Sequence, residues 1–196
     1  MAVISIKNKT KSGSLLVGNA AYMPPSFDSI ATVTVGSGGA SSVTFSSIPQ
    51  TYSHLQLRII GRTNRGSSLD NIIINFNGDT GANYYSRRLE GDGSGAYSDG
   101  YGLSNQPAGF LVPTSADAAN AFTGGVMDIL DYTSTVKNKT TRALRGIDLN
   151  GSGYMTLGSV LWMPTTPVAI TSINLLSQNG ANISQHSSFA LYGIKE

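Results

Sequence analysis

The side chains best suited to acid–base chemistry in this 196-residue sequence are two histidines, His54 and His186. Imidazole is the one side chain that ordinarily titrates near neutral pH. The chain has no cysteine, so a thiolate nucleophile, a disulfide and a cysteine-type zinc site are all excluded. No serine stands in a G-x-S-x-G segment. A nucleophile–base pair would therefore have to use His54 or His186, and each opens a predicted strand with no motif around it. A general base needs a partner that orients it, and a lone histidine at a strand end is more often structural or solvated. Two histidines this far apart in sequence do not suggest a zinc site either.

Other oxygen-bearing side chains come closer to a pattern. Asp148-x-Asn150-x-Ser152-Gly153 reads like the opening of a calcium loop, with alternating oxygen donors before a glycine. The twelfth position is Ser159 in place of the bidentate glutamate that completes such a loop, and both flanks read as strands. A polar hairpin turn accounts for the same residues. Glu90, Asp92 and Asp99 form a second, looser acidic group. The GSGG run at 36–39 lacks the Lys-Ser/Thr of a phosphate loop. Carboxylates are otherwise scattered, with no close pair of the kind glycosidases use. No metal or cofactor is expected.

Aromatic residues offer a different chemistry. Tyr84, Tyr85, Tyr97, Tyr101 and Trp162 could stack on sugar rings, and the Gly/Ser-rich segment 90–109 makes Tyr97 and Tyr101 the candidate ligand-facing pair. Aromatic side chains in and beside strands are more often core or interface. Arg58, Arg62, Arg65, Arg87, Arg88, Arg142 and Arg145 lie on predicted strands or their ends. They read as a solvated sheet face, or as the forked donors that interfaces favour over lysine.

The elements that position these residues are strands. IATVTV (30–35) and VTFSSI (43–48) flank Ser37-Gly38-Gly39 and predict a hairpin. HLQLRIIGR (54–62) alternates apolar and polar residues, and NIIINFN (71–77) runs apolar into the turn triplet Asn77-Gly78-Asp79. NYYSRRL (83–89) follows, then further strands at 122–132, 140–147, 154–163, 168–177 and 187–195, with Asn150–Gly153 as a hairpin turn. Only ADAANAF (116–122) looks helix-like, and it is short. Residues 90–109 read as a loop. The pattern predicts an all-β fold, an antiparallel β-sandwich or jelly roll spanning 30–196.

Residues 1–29 predict an extended N-terminal arm. Pro24 and Pro25 bar a helix or a central strand. Ile4, Ile6, Leu15, Leu16, Val17, Tyr22, Met23 and Phe27 are too many apolar residues for a solvated tail. They are expected to bury, together with the proline pair, either on the chain's own domain or as an interface with a neighbouring subunit.

Only 12% of residues are charged, with 13 basic and 11 acidic side chains. That is about half the usual fraction, and it suits a subunit packed in an assembly better than a soluble enzyme. A surplus of two positive charges is a weak argument for nucleic acid. No apolar run approaches the roughly 18 residues of a membrane helix, so no membrane insertion is expected. The lysines follow the first apolar residues, the reverse of a secretory signal.

Several blocks together resemble a recurrent module: SIATVTVGSGGASSVTFSSIPQTYSHLQLRIIGRT, NFNGDTGANYYSRRLEGDGSG, DILDY, NKTTRALRGIDLNGSGY and the closing SSFALYGIKE. The chain from about residue 29 to 196 is similar to virion structural proteins of tailed bacteriophages, particularly those of marine bacteria and cyanobacteria. GNAAYMPPSF resembles their lead-in segment. The resemblance implies a fibre-like or decorating structural protein with no catalytic residues to carry over, and location on a virion released by lysis. It also implies a homotrimer or another symmetric homo-oligomer, with other virion proteins as partners, either tail and baseplate proteins or the major capsid protein. A long fibre would show a stalk of repeats, and none is present. The expectation is therefore a short tail-fibre or baseplate appendage, with a capsid decoration protein as the alternative and a module that binds host-surface glycan as a further one.

Overall fold

The structure is a computed structural model that describes residues 16–17, 20–21, 26–105 and 107–195. Among the described residues every regular element is a strand. β1 (Leu16–Val17) and β2 (Ala20–Ala21) form a small antiparallel ladder of their own. The remaining strands are β3 (Phe27–Thr34), β4 (Ser42–Phe45), β5 (His54–Gly61), β6 (Asp70–Phe76), β7 (Tyr84–Gly91), β8 (Ala96–Ser104), β9 (Ala108–Val112), β10 (Thr123–Ile129), β11 (Lys139–Asp148), β12 (Gly153–Trp162), β13 (Ile173–Ser177) and β14 (Ser188–Ile194).

These strands form two antiparallel sheets packed as a β-sandwich. The larger has eight strands in the order β3-β14-β5-β10-β11-β12-β7-β8, and the smaller has four in the order β4-β13-β6-β9. Strand period two explains the layering. Along β5, Leu55, Leu57 and Ile59 are buried while Gln56 and Arg58 face outward. The smaller sheet answers with Ile72, Ile74 and Phe76 of β6 and Leu175 of β13, all fully buried. Each such side chain contributes about 1.5–3 kcal/mol by leaving water. The terminal F-x-L-Y-G-I block becomes β14, seated between β3 and β5, with Phe189 opposite Val33 on one side and Ile59 on the other.

The structure departs from the sequence pattern in four places. First, β3 and β4 do not form a hairpin. A turn does lie between them, with Gly38 and Gly39 at φ 89° and 77°, but it carries the chain from one sheet to the other. β3 pairs with β14 and β4 with β13. Both strands alternate because both face one core from opposite layers.

Second, the segment 90–109 is not a loop. It holds β8, which pairs with β7 alone as the edge of the larger sheet, and the start of β9. An edge strand needs backbone partners on one side only, so glycine and serine can supply it without a buried side-chain row. Third, the helix-like run 116–122 is a pair of turns whose amides bond back to Thr114 and Ala118 carbonyls. Fourth, residues 168–172 have no ladder, and that strand begins at Ile173. β3 also begins at Phe27, ahead of the domain boundary expected at Ile30, so Phe27–Ser29 belong to the sheet.

The hairpin at 150–153 joins β11 to β12 as expected, with Asp148 opposite Gly153.

Candidate functional site

The outward surface of the larger sheet has an unusual composition. In antiparallel pairing, residues directly opposite share a face, so the registers trace rows across the strands. One row runs Leu89–Leu157–Leu144–Val126 through β7, β12, β11 and β10, and continues to Arg58 on β5. Leu89 is 57% exposed, Leu157 52% and Leu144 50%. The next row, two residues along each strand, runs Gly91–Met155–Gly146–Gly124–Ile60. Met155 and Ile60 are exposed there, and the glycines leave a trough of about 400 Å³ beside Leu144 and Val126. A ridge of leucines thus lies against a glycine-floored groove, and no segment of the described chain covers either.

The third row is polar. Arg142 Nε donates to Asp128 Oδ2 at 3.2 Å, Gln56 Nε2 donates to the other Asp128 oxygen at 2.9 Å, and Arg58 Nε donates to Gln56 at 2.8 Å. The Arg58 guanidinium lies 4.7 Å from the Tyr192 ring centroid and 5.8 Å from that of Phe27.

Arg145 lies on the opposite face of β11, where it is buried and joins the two sheets. Its guanidinium donates to the Gly109 carbonyl of β9. Burial, and then the nearby Arg88 cation, hold its pKa down to about 10. Arg88 makes a two-pronged bond to Asp99 at 2.8 and 2.9 Å and lies 3.4 Å from Glu90. The loose acidic group of the sequence is therefore partly tied to arginine. Asp92 is occupied in its own turn, accepting from the Ser94 and Gly95 amides.

The NFNGDTGANYY block closes one end of the sandwich. Asp79 Oδ2 accepts from Trp162 Nε1 at 2.7 Å and from Asn83 Nδ2 at 2.9 Å, while Oδ1 accepts from the Gly81 amide at 2.8 Å. The Tyr84 hydroxyl donates to the Asp79 carbonyl and accepts from the Phe76 amide. The Asn77 side chain ties the same turn to the Ala169 carbonyl and the amides of Thr171 and Ser172. These residues work as a structural clasp. Burial pushes the Asp79 carboxyl up, but the three hydrogen bonds outweigh it and leave it below the usual carboxylate range. Burial pushes the Tyr84 phenol up to about 12.

Two of the proposed sugar-stacking residues are therefore core. Trp162 is 2% exposed and Tyr84 fully buried, their rings stacked at 6.4 Å. Tyr85 is half-buried. Tyr97 is 56% exposed on β8, opposite Glu90, and Tyr101 stands opposite Ser86 in the same ladder.

His54 Nδ1 accepts from the Asp131 amide at 2.9 Å, which pins the start of β5 to the end of β10. His186 is a turn residue at φ 71° whose amide bonds to Val35. Asp148 Oδ1 accepts from the Asn150 amide, the self-capping of a polar turn. Among the described residues no group of three or more His, Cys, Asp or Glu is placed to hold a metal ion.

Of the arm residues, Ile4, Ile6, Leu15, Tyr22, Met23, Pro24 and Pro25 lie outside the described residues. Leu16 and Val17 form β1, and Phe27 opens β3, 41% exposed.

The leucine ridge is not legible in the sequence. In K-T-T-R-A-L-R-G-I-D either phase of the alternation contains an arginine and an aliphatic residue, so the inward phase is not evident. The structure turns Ala143, Arg145 and Ile147 inward and Arg142 and Leu144 outward. Comparison with protein-family models, curated proteins and solved structures found no match.

Proposed function

We propose that this chain is a non-enzymatic structural subunit of a tailed-phage virion, a short tail-fibre or baseplate appendage held in place through protein surfaces. The observation that carries this reading is the outer face of the eight-stranded sheet, which no segment among the described residues covers. Leu89, Leu144, Met155 and Leu157 stand half or more exposed on three adjacent strands. A contiguous apolar patch on a chain with so few charges is characteristic of a surface that assembles. The sequence blocks that resemble virion modules, and an arm rich in apolar residues for attachment, point the same way. No catalytic residue is assigned. A capsid decoration role is the alternative placement.

The test is localisation. Gold-labelled antibody against the full chain, applied to purified particles, is expected to mark the tail end. Label on the head would move the protein to the decoration role, and particles without label would end the proposal. A host-glycan role has one observation in its favour, the exposed ring of Tyr97 at the sheet edge.

A further inference from the structure

The ridge and groove of the larger sheet are self-complementary, and we infer that a second copy of this chain covers them in a two-fold, face-to-face dimer. This goes beyond the proposed virion role by naming the occupant of that face.

The inference rests on the spacing of residues along single strands. A two-fold interface is built from one patch used twice, so the patch must carry both halves of its own fit. On β11 the outward residues run Arg142, Leu144, Gly146, Asp148. On β10 the matching pair is Val126 and Gly124, and on β7 it is Leu89 and Gly91. Consider an axis lying in the face, parallel to the rows and midway between ridge and groove. Rotation about it sets each Leu144 over the other copy's Gly146, each Val126 over Gly124 and each Leu89 over Gly91. On β12 it sets Met155 beside Leu157. A side chain meets a glycine on three strands and an apolar neighbour on the fourth, and at the rim on β5 the aliphatic stem of Arg58 lies over Ile60.

Charge follows the same rotation. Arg142 and Asp148 lie equally far on either side of the Leu144/Gly146 midpoint, so each Arg142 faces the other copy's Asp148. Both are exposed. The strand is thus complementary to itself in shape and in sign.

The area is adequate. Leu89, Leu144, Met155, Leu157 and Ile60 offer on the order of 100 Å² each, roughly 500 Å² together, near the upper end of what a monomer exposes in one patch. With Val126, the glycine backbone and the flanking polar row, the face approaches the about 800 Å² per partner of a standard interface. Aligned sheet packing about 10 Å apart accommodates this contact.

The experiment is sedimentation equilibrium and native mass spectrometry on the full chain. Wild type is expected to be a dimer or a higher even-numbered assembly. Leu144→Lys is expected to weaken association by about a hundredfold, since a charge would replace a central apolar contact.

Gly146→Leu is the sharper variant. A Cβ at Gly146 meets nothing closer than 4.0 Å within the monomer, and leucine makes the face more apolar. The ridge-into-groove dimer predicts loss of association, whereas a merely sticky patch predicts a gain.

Charge exchange tests the two-fold axis itself. Arg142→Asp and Asp148→Arg each place like charges opposite in a homodimer and are expected to be monomeric. Mixed together, the two variants restore both opposite-charge contacts and are expected to form a heterodimer. Circular dichroism on every variant checks that the strands are retained.

A monomeric wild type overturns the inference. So does a trimer, an association unaffected by Leu144→Lys or strengthened by Gly146→Leu, or a mixture of the two charge variants that stays monomeric. A chain that is monomeric in solution yet present on particles defeats this inference and leaves the virion proposal standing.

Discussion

The indole N–H of Trp162, on the last residue of β12, donates to the Asp79 carboxylate in the turn after β6 at 2.7 Å. This bond links the larger sheet to a turn of the smaller one. It is buttressed by the stacked ring of Tyr84, whose hydroxyl holds the same turn through the Asp79 carbonyl. One carboxylate and two aromatic residues therefore fix the relative position of the two layers at this end of the sandwich.

Trp162→Ala is expected to cost about 3–5 kcal/mol, because it leaves a large cavity and leaves Asp79 without its indole donor. Asp79 also carries a pH dependence. Its native pKa is lowered, so the folded state favours the ionised form. The stabilisation is full above the ordinary carboxylate range and is lost as pH falls through the lowered native value. Denaturant titrations at a series of acid pH values should show Asp79→Asn less stable near neutrality and with a shallower acid decline. An acid limb identical to wild type would show that other carboxylates carry it.

Gly193 sits on β14 beside the ring of Tyr52, and a Cβ there would fall on that ring. Gly193→Ala is expected to destabilise by about 1–3 kcal/mol through overpacking. Adding Tyr52→Leu should recover part of the loss, since the two positions share one contact. Thermal melts of the two single variants and the double variant measure this directly. Additive losses would mean the glycine is there for another reason.

Arg145 is a buried cation with its Nε unpartnered and one arm on the Gly109 carbonyl. Replacement by methionine keeps most of the volume and removes the desolvated charge. Arg145→Met is expected to stay within about 1.5 kcal/mol of wild type, while Arg145→Ala costs about 2–5 kcal/mol through the cavity. Equal losses in the two variants would show that the guanidinium bond matters more than the packing.

Because Phe27 opens β3 and Asp28 pairs with Lys195 across to the end of β14, the arm is best removed before Ser26. A chain lacking residues 1–25 is expected to keep its β-sheet circular dichroism and to be missing from purified particles. Normal incorporation of the shortened chain would refute anchoring by the arm.

Much of the fold could be read from alternation. Leu55, Leu57 and Ile59 against Gln56 and Arg58 left one way to orient β5, and the structure keeps it. Pairing was less legible, because alternation identifies a buried face and not a neighbour. Val33 and Val43 look like hairpin partners, yet they face one core from different sheets. Edge strand β8 was hidden because its backbone pairs on one side and its glycines and serines need no burial. The site was the least legible part. Leu144 and Ile147 have equal claim to the interior by type, and only the tertiary structure shows that the leucine faces out while Arg145 goes in. Trp162 reads from its strand position as a core residue first and a ligand platform second, but nothing in the sequence points to its indole partner, 83 positions away.

The placement of β14 between β3 and β5 bears on biosynthesis. Of the described strands it is the last to leave the ribosome, and until it does β3 has no partner and β5 lacks one neighbour. The eight-stranded layer therefore cannot close before β14 has been synthesised, and its long-range strand pairings make completion slow. A chain truncated before Ser188 keeps two unsatisfied strand edges, the kind of surface that draws aggregation and degradation. The fold thereby acts as a proofreading step in which only polypeptides translated through Ile194 acquire an intact outer surface to present.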